Sequence, residues 1–175
     1  MQKRISPVVP GSRPELAEIE ANILKERGRI SPLYQTLLNS PAIAHGWETL
    51  LTAIRNKNSL PASLREMIIL RVAIINRAPY EFDAHVPHAL KAGLSNEQLD
   101  ALKAPTFEQI LPIFNALEMA VLRLTDVMTL QIQVPDEVFA PIRANYNDQE
   151  VLEVVATIAS YNMVSRLLNA LHVGH

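Results

Sequence analysis

Leu64-Arg-Glu-Met-Ile-Ile-Leu-Arg-Val-Ala73, followed by Tyr80-Glu-Phe-Asp-Ala-His85-Val-Pro-His88-Ala-Leu90, is the stretch that decides the fold. The first segment reads as an apolar helix from about Pro61 to Asn76. The second reads as a helix from Pro79, tolerated at a first helical position, to Ala92, with Gly93 as its stop. The connector around Arg77-Ala-Pro79 is short, so the two helices are expected to be antiparallel neighbours. Glu81 and His85 are four residues apart, so both side chains leave one face of the second helix, with His88 bordering that face. Glu66, on the preceding helix, can then face the Glu81–His85 pair.

Outward from this pair, helical start and stop signals continue in both directions. Leu16, Ile19, Ile23 and Leu24 form one stripe between Pro14 and Gly28. Ser31-Pro32 and Ser40-Pro41 each place a capping hydroxyl before a helix-opening proline, and the helix from Pro41 to about Asn56 carries Ile43, Trp47, Leu50, Leu51 and Ile54. Ser95-Asn-Glu-Gln98 is a capping-box pattern for a short helix to about Lys103. Thr106-Phe-Glu-Gln109 repeats the pattern before a helix expected to reach Leu130. Pro135 opens another short helix that Pro141 should bend or end, and Asn147-Asp-Gln-Glu150 opens the last one, to about His172. No segment alternates with a period of two, so no strand is expected. The reading is a single all-α helical bundle over residues 13–175 behind an irregular N-terminal arm, residues 1–12. The last helix is apolar nearly all round, from Val151 to Leu171, which argues for burial in a subunit contact.

Composition narrows the chemistry. The chain has 175 residues, a net charge of −2, 49% hydrophobic and only 5% aromatic residues, a profile of helices packed on helices. Charges of both signs are mixed, so neither nucleic acid nor a disordered charged tail is indicated. Cysteine is absent, which removes disulfides, thiolate zinc sites and every thiol reaction. The N-terminus lacks the apolar core of a secretory signal, and no apolar run reaches the roughly 18 residues of a membrane span. The expected location is the cytoplasm, away from any membrane.

A histidine with a carboxylate orienting one ring nitrogen moves protons near neutral pH. A second carboxylate in an apolar pocket separates the acid and base roles. His85, Glu66 and Glu81 are therefore the catalytic candidates. Taken alone, a Glu–His pair at helical spacing is more often a plain surface pair, and Glu66 can likewise pair with Arg65 or Arg71. Tyr80 can donate a hydrogen bond to a substrate, with His88 beside it. Asn162 and Arg166, four apart on the last helix, and Arg71 are candidates to hold a substrate carboxylate. Arg166 fits an ion pair at a subunit contact just as well. Glu66, Glu81, His85 and His88 are also of metal-ligating type, but a lone His-x-x-His spacing is common by chance and no metal is expected. His45, His172 and His175 show no ligand spacing and are expected at the surface or terminus. Tyr34, Trp47 and Met163 lie on apolar stripes and are expected in the core.

Arg65-Glu66 with its apolar run, Tyr80-Glu81-Phe82, His85 and Ala92-Gly93-Leu94-Ser95 together resemble the carboxymuconolactone decarboxylase and alkylhydroperoxidase-D-like superfamily. The resemblance runs from roughly Ile30 to Val173 and includes Tyr161-Asn-Met-Val-Ser-Arg166. The peroxidase branch of that superfamily carries a glutamate, a Cys-x-x-Cys pair and a histidine. Counted from Glu66, the cysteine positions fall at Ala78 and Glu81 and the histidine at His85, so the dithiol peroxidase reaction is ruled out here. The resemblance implies a helical bundle of the alkylhydroperoxidase-D type, assembled as a homotrimer or homohexamer. It further implies a decarboxylase-like enzyme without cofactor, acting by acid–base chemistry on a small acid or lactone through decarboxylation, isomerisation or elimination. The alternative is a non-catalytic oligomeric protein that binds a small molecule. On the enzyme reading, His85→Gln is expected to abolish turnover while leaving folding nearly unchanged.

Overall fold

The computed structural model describes residues 2–110 and 112–174; Met1, Leu111 and His175, the last expected at the surface, lie outside them. Among the described residues the chain forms nine α-helices and two 3₁₀ turns and no strand, so the protein is all-α. The helices fall into two compact units. One comprises the residues up to Lys57 together with the segment from Leu168, and the other runs from Asn58 to Leu167.

The first unit contains α1 (Ala17–Arg27), α2 (Pro32–Leu37) and α3 (Pro41–Asn56), with a 3₁₀ turn, Pro14–Leu16, leading into α1. Gly28 closes α1 in the left-handed region, at φ 74°, which costs glycine nothing. Ser31 caps α2 by accepting the Tyr34 N–H at 3.4 Å, whereas Ser40 makes no side-chain cap bond. The expected α3 stripe is only partly right. Trp47, Leu51 and Ile54 are buried, but Ile43 is 57% and Leu50 43% exposed, and Glu48 and Thr52 are buried instead. Burial of Glu48 is tolerated because Asn22 Nδ2 and Thr52 Oγ1 donate to its two oxygens at 2.8 and 2.5 Å. The N-terminal stretch has no helix before Pro14, yet it is anchored: Arg4 N donates to Leu171 O at 3.2 Å, Val8 N to Gln35 O at 2.9 Å, and Val8 is buried.

The second unit is organised by α4 (Ala62–Ile75), whose residues Glu66 to Ala73 are all buried. It packs between α5 (Pro79–Lys91) and α7 (Ala116–Leu130). Each fully buried Leu or Ile on it contributes about 1.5–3 kcal/mol. The turn from α4 to α5 is a Schellman motif in which Arg77, not glycine, takes the left-handed position at φ 53°. Ala78 N reaches Ala73 O at 2.8 Å and Arg77 N reaches Ile74 O at 3.0 Å. This tight reversal lays α5 back along α4. Pro87 lies inside α5 and removes the hydrogen bond that would run to the Asp83 carbonyl, without ending the helix.

Three expectations change here. The helix expected from Thr106 begins only at Ala116; Phe107–Gln109 is a 3₁₀ turn and Pro112 cannot supply a helical N–H. The working capping box is Asn115 with Glu118, where Asn115 Oδ1 accepts the Glu118 N–H at 2.9 Å and Glu118 Oε2 accepts the Asn115 N–H at 2.9 Å. Pro141 does not end its helix, since α8 (Asp136–Asn145) runs through it. The third concerns the last helix, α9 (Asp148–Leu171). Contrary to expectation, it is long and apolar enough to cross a membrane by length and composition alone, and half of the relevant window is buried. α6 (Asn96–Ala101) has the expected Ser95–Gln98 capping box.

Candidate active site

The reversal at Arg77–Ala78 sets Glu66 of α4 against the inner face of α5. His85 Nδ1 lies 2.6 Å from Glu66 Oε2, and its Nε2 lies 3.3 Å from Glu81 Oε1. His85, Glu66 and Glu81 are 4%, 7% and 6% exposed, so the arrangement is nearly shut off from water. A neutral imidazole can donate from only one ring nitrogen, so carboxylates at both match the protonated ring. Burial pushes the His85 pKa down, but the adjoining Glu66 and Glu81 carboxylates overcome it and hold the imidazole above its ordinary value. The 2.6 Å separation is that of a strong, charge-assisted hydrogen bond.

Two further rings adjoin His85. Tyr161 of α9, 1% exposed, meets it edge-to-face with centroids 5.3 Å apart, and His88, one turn on, lies 5.6 Å away on the exposed side. In the sequence Tyr161 belongs to an apolar helix and to the Tyr161–Arg166 stretch of the resemblance, with no contact to His85 implied. Nothing in the spacing of α9 against α5 could have flagged it.

The remaining candidates are placed as follows. Tyr80 is half-buried at the start of α5. Arg71, 0% exposed, is paired bidentately with Asp126 of α7, Nε to Oδ1 at 2.7 Å and Nη2 to Oδ2 at 2.5 Å, while its Nη1 donates to the Leu102 and Ala104 carbonyls. A guanidinium so engaged holds α4, α7 and the end of α6 together and is not presented to a ligand. Asn162 is also committed. Its Oδ1 accepts from Asn76 and Arg166 at 2.9 Å each, and its Nδ2 donates to Thr129 Oγ1 and Ile158 O at 3.0 Å each. Arg166 is exposed. Asp126 was missed, although a buried arginine such as Arg71 requires an acidic partner somewhere in the chain. Among the described residues no group of three or more His, Asp or Glu side chains is placed to hold a metal ion.

An all-α unit with a buried Glu–His–Glu arrangement between two antiparallel helices defines the class. Residues 41–107, which include Glu66, Glu81 and His85, match the model of the carboxymuconolactone decarboxylase family. It is 26% identical over 113 residues to the uncharacterized protein YdfG of Bacillus subtilis, a match covering 63% of this chain and 75% of YdfG. Its fold is similar to that of the alkylhydroperoxidase AhpD core of an uncharacterized peroxidase-related protein from Ralstonia eutropha, with TM-score 0.82 and 16% identity over 98% of this chain and 90% of that one. It is also similar to the debrominase Bmp8, with TM-score 0.81 and 18% identity over 99% of this chain and 92% of that one. At these identities the two structures speak to the fold alone.

Proposed function

We propose that this chain is a cofactor-independent, decarboxylase-like enzyme that moves protons on a small lactone, enolisable carbonyl compound or acid. The observation supporting it is the buried imidazole with one carboxylate at each ring nitrogen. His85 is the proton donor, Glu66 orients it through the 2.6 Å bond, and Glu81, at the looser 3.3 Å contact, is the group free to exchange partners with a substrate. In an isomerisation, Glu81 takes a proton from the carbon beside the carbonyl and the C–H electrons become those of an enolate. His85 stabilises the enolate oxygen by giving it a proton, and the isomer forms when Glu81 returns its proton to the conjugated carbon as the oxygen's proton goes back to His85. In a decarboxylation, the electrons of the breaking C–C bond pass into the conjugated carbonyl, carbon dioxide leaves, and His85 protonates the carbon. Self-association as a trimer or hexamer belongs to the same reading.

The experiment is solvent deuterium incorporation. Lactones and cyclic ketones are incubated with the protein in D₂O, and loss of the α-proton signal is followed by NMR. Exchange that depends on His85 is the expected result, and its absence across the panel would sink the proposal.

The opposing reading, a non-catalytic binding protein, draws on one specific observation. The side chains of His85, Glu66 and Glu81 are only 5–9% exposed, so they also make a self-satisfied internal ion cluster. On that reading His85→Gln destabilises the fold and no exchange is seen with the intact protein.

A further inference from the structure

His85 is held from three helices. Glu66 of α4 meets Nδ1 at 2.6 Å, and Glu81, one turn back on α5, meets Nε2 at 3.3 Å. Tyr161 of α9 stands edge-to-face against the ring, with centroids 5.3 Å apart and planes at 89°. The carboxylates act on the ring nitrogens, whereas Tyr161 bears on the ring itself. Its own place is fixed by the residues beside it on α9. Asn76, which closes α4, donates through Nδ2 to Asn162 Oδ1 at 2.9 Å and to Ser165 Oγ at 2.7 Å. Asn162 Nδ2 in turn donates to Thr129 Oγ1 of α7 at 3.0 Å. Tyr161 is buried, so His85 has a fixed wall along one side.

We infer that Tyr161 is a positioning residue for His85, the wall that keeps Nε2 aimed at the place Glu81 vacates when it turns to a substrate. The inference rests on the proton-transfer reading for the role of that nitrogen. Rotation of an imidazole about its Cβ–Cγ bond is a broad torsion, so the side chain does not fix its own plane. Nδ1 lies close to that axis, and a bond there is a weak brake on the rotation. In the resting protein the Glu81 contact on the far side of the ring opposes it. Once Glu81 exchanges partners, the Glu66 bond holds the ring at Nδ1 while Nε2 is free to swing, unless something bears on the ring plane. Tyr161 belongs to neither α4 nor α5 and stays in place when Glu81 turns.

The test has a substrate-free part and a kinetic part. Glu81→Ala leaves Glu66 and Tyr161 to hold the ring, and carbon-13 relaxation of the His85 Cε1–H group, assigned by its loss in His85→Gln, reports how far the ring swings. In that background Tyr161→Phe should keep the ring ordered, whereas Tyr161→Leu should lower its order parameter toward the flexible range. Tyr161→Met, which keeps more of the buried volume, is read in the same way should Tyr161→Leu fail to fold. With Glu81 in place, the Leu and Met variants should exchange deuterium into cyclohexanone about ten- to a hundredfold more slowly at saturation, with half-saturation nearly unchanged, because a misaimed group loses rate before binding. Tyr161→Phe should exchange at nearly the wild-type rate. The His85 pKa should stay raised in all three variants, since both carboxylates remain beside it. A residue that merely fills the core would lower stability without moving ring order or rate. The inference is overturned if ring order is the same with and without the aromatic ring, if Tyr161→Phe loses rate as the others do, or if half-saturation rises while the rate holds. Absence of wild-type exchange, with ring order still dependent on Tyr161, would remove the enzymatic reading alone. Exchange that Tyr161→Leu leaves unchanged would remove this inference alone.

Discussion

Glu66 Oε2 and His85 Nδ1 lie 2.6 Å apart across 19 residues of sequence, each on a different helix and each nearly closed to water. A reversal as tight as the one at Arg77 is what allows two buried groups so placed to meet. This relationship changes what a His85 variant should do. A surface histidine could be replaced at little cost, but here His85→Gln leaves two neighbouring carboxylates without their shared cation. Breaking a buried ion pair costs about 3–5 kcal/mol, moderated where a carboxyl takes up a proton instead. The expected outcome is a variant that still folds in the cold, unfolds at clearly lower urea, and exchanges substrate protons about 10²–10⁴-fold more slowly. Urea titration and deuterium exchange on the same sample check both parts, and wild-type exchange rates in the variant would show that His85 is structural.

The raised His85 pKa also fixes the sign of a pH effect. A group whose pKa is higher in the folded state stabilises that state fully below its unfolded value, about 6.5 for histidine, and loses the contribution as pH rises through the folded value. The stability difference between wild type and His85→Gln should therefore be largest near pH 6.5 and shrink steadily above it. Chemical unfolding at half-unit steps upward from pH 6.5 measures this; a difference that grows with pH would mean the ring is neutral in the folded state.

Arg71 and Asp126 predict a different pattern, one of stability without chemistry. Asp126→Asn leaves Arg71, 0% exposed, facing a neutral amide and should cost about 3–5 kcal/mol. Arg71→Lys should be nearly as harmful, because an ammonium cannot reproduce the bidentate fork or reach both loop carbonyls. The double change Arg71→Met with Asp126→Leu should recover much of the loss, since an apolar pair needs no neutralising partner. Equal destabilisation by the double and single variants in urea titrations would contradict this account.

These outcomes mark where the sequence was readable. Helix starts at Pro32, Pro41, Pro79 and Ser95 were legible because proline and capping side chains act through the backbone next to them. Glu81 and His85 were legible as a pair because helical spacing alone puts them on one face, and Glu66 followed from the short connector. The start of α7 was misread because Thr106-x-x-Gln109 and Asn115-x-x-Glu118 carry the same local pattern, and only Pro112 between them distinguishes the two. The Arg71–Asp126 and His85–Tyr161 contacts were invisible for another reason: contacts to α4 and α5 made from α7 and α9 depend on how helices pack, which no local pattern encodes.

The turn that aligns the site carries a cost of its own. Arg77 sits at φ 53°, where an L-residue with a side chain is disfavoured by about 1–2 kcal/mol. Arg77→Gly should therefore leave the Glu66–His85 contact intact and raise stability by up to about 1 kcal/mol, part of the gain being lost to the freer unfolded chain. Arg77→Val should lower it, because a β-branched residue tolerates that conformation least. Melting temperatures of the two variants moving in opposite directions are the expected result, and a glycine variant less stable than wild type would show that the Arg77 side chain matters more than its backbone.

The last prediction concerns α9, whose apolar surface is not all covered by its own chain. Leu152 is 67% exposed, Met163, expected in the core, is 38% exposed, and Ala159 between them is exposed as well. Their spacing of seven and four residues puts all three on one side of the helix, where an uninterrupted apolar stripe is unfavourable in water and suits a subunit contact. If α9 is the interface of a homotrimer or homohexamer, a charge in the middle of that stripe should break it. Met163→Glu should convert the oligomer to a monomer in light scattering at micromolar concentration, while circular dichroism keeps its helical signal. Leu152→Glu, nearer the start of the helix, should weaken assembly less. His85 lies on α5 against the buried Tyr161 face of α9, so its carboxylate contacts should survive dissociation and its resonance should stay in place. A wild-type protein that is monomeric at these concentrations, or a Met163→Glu variant that assembles as before, would place the contact elsewhere.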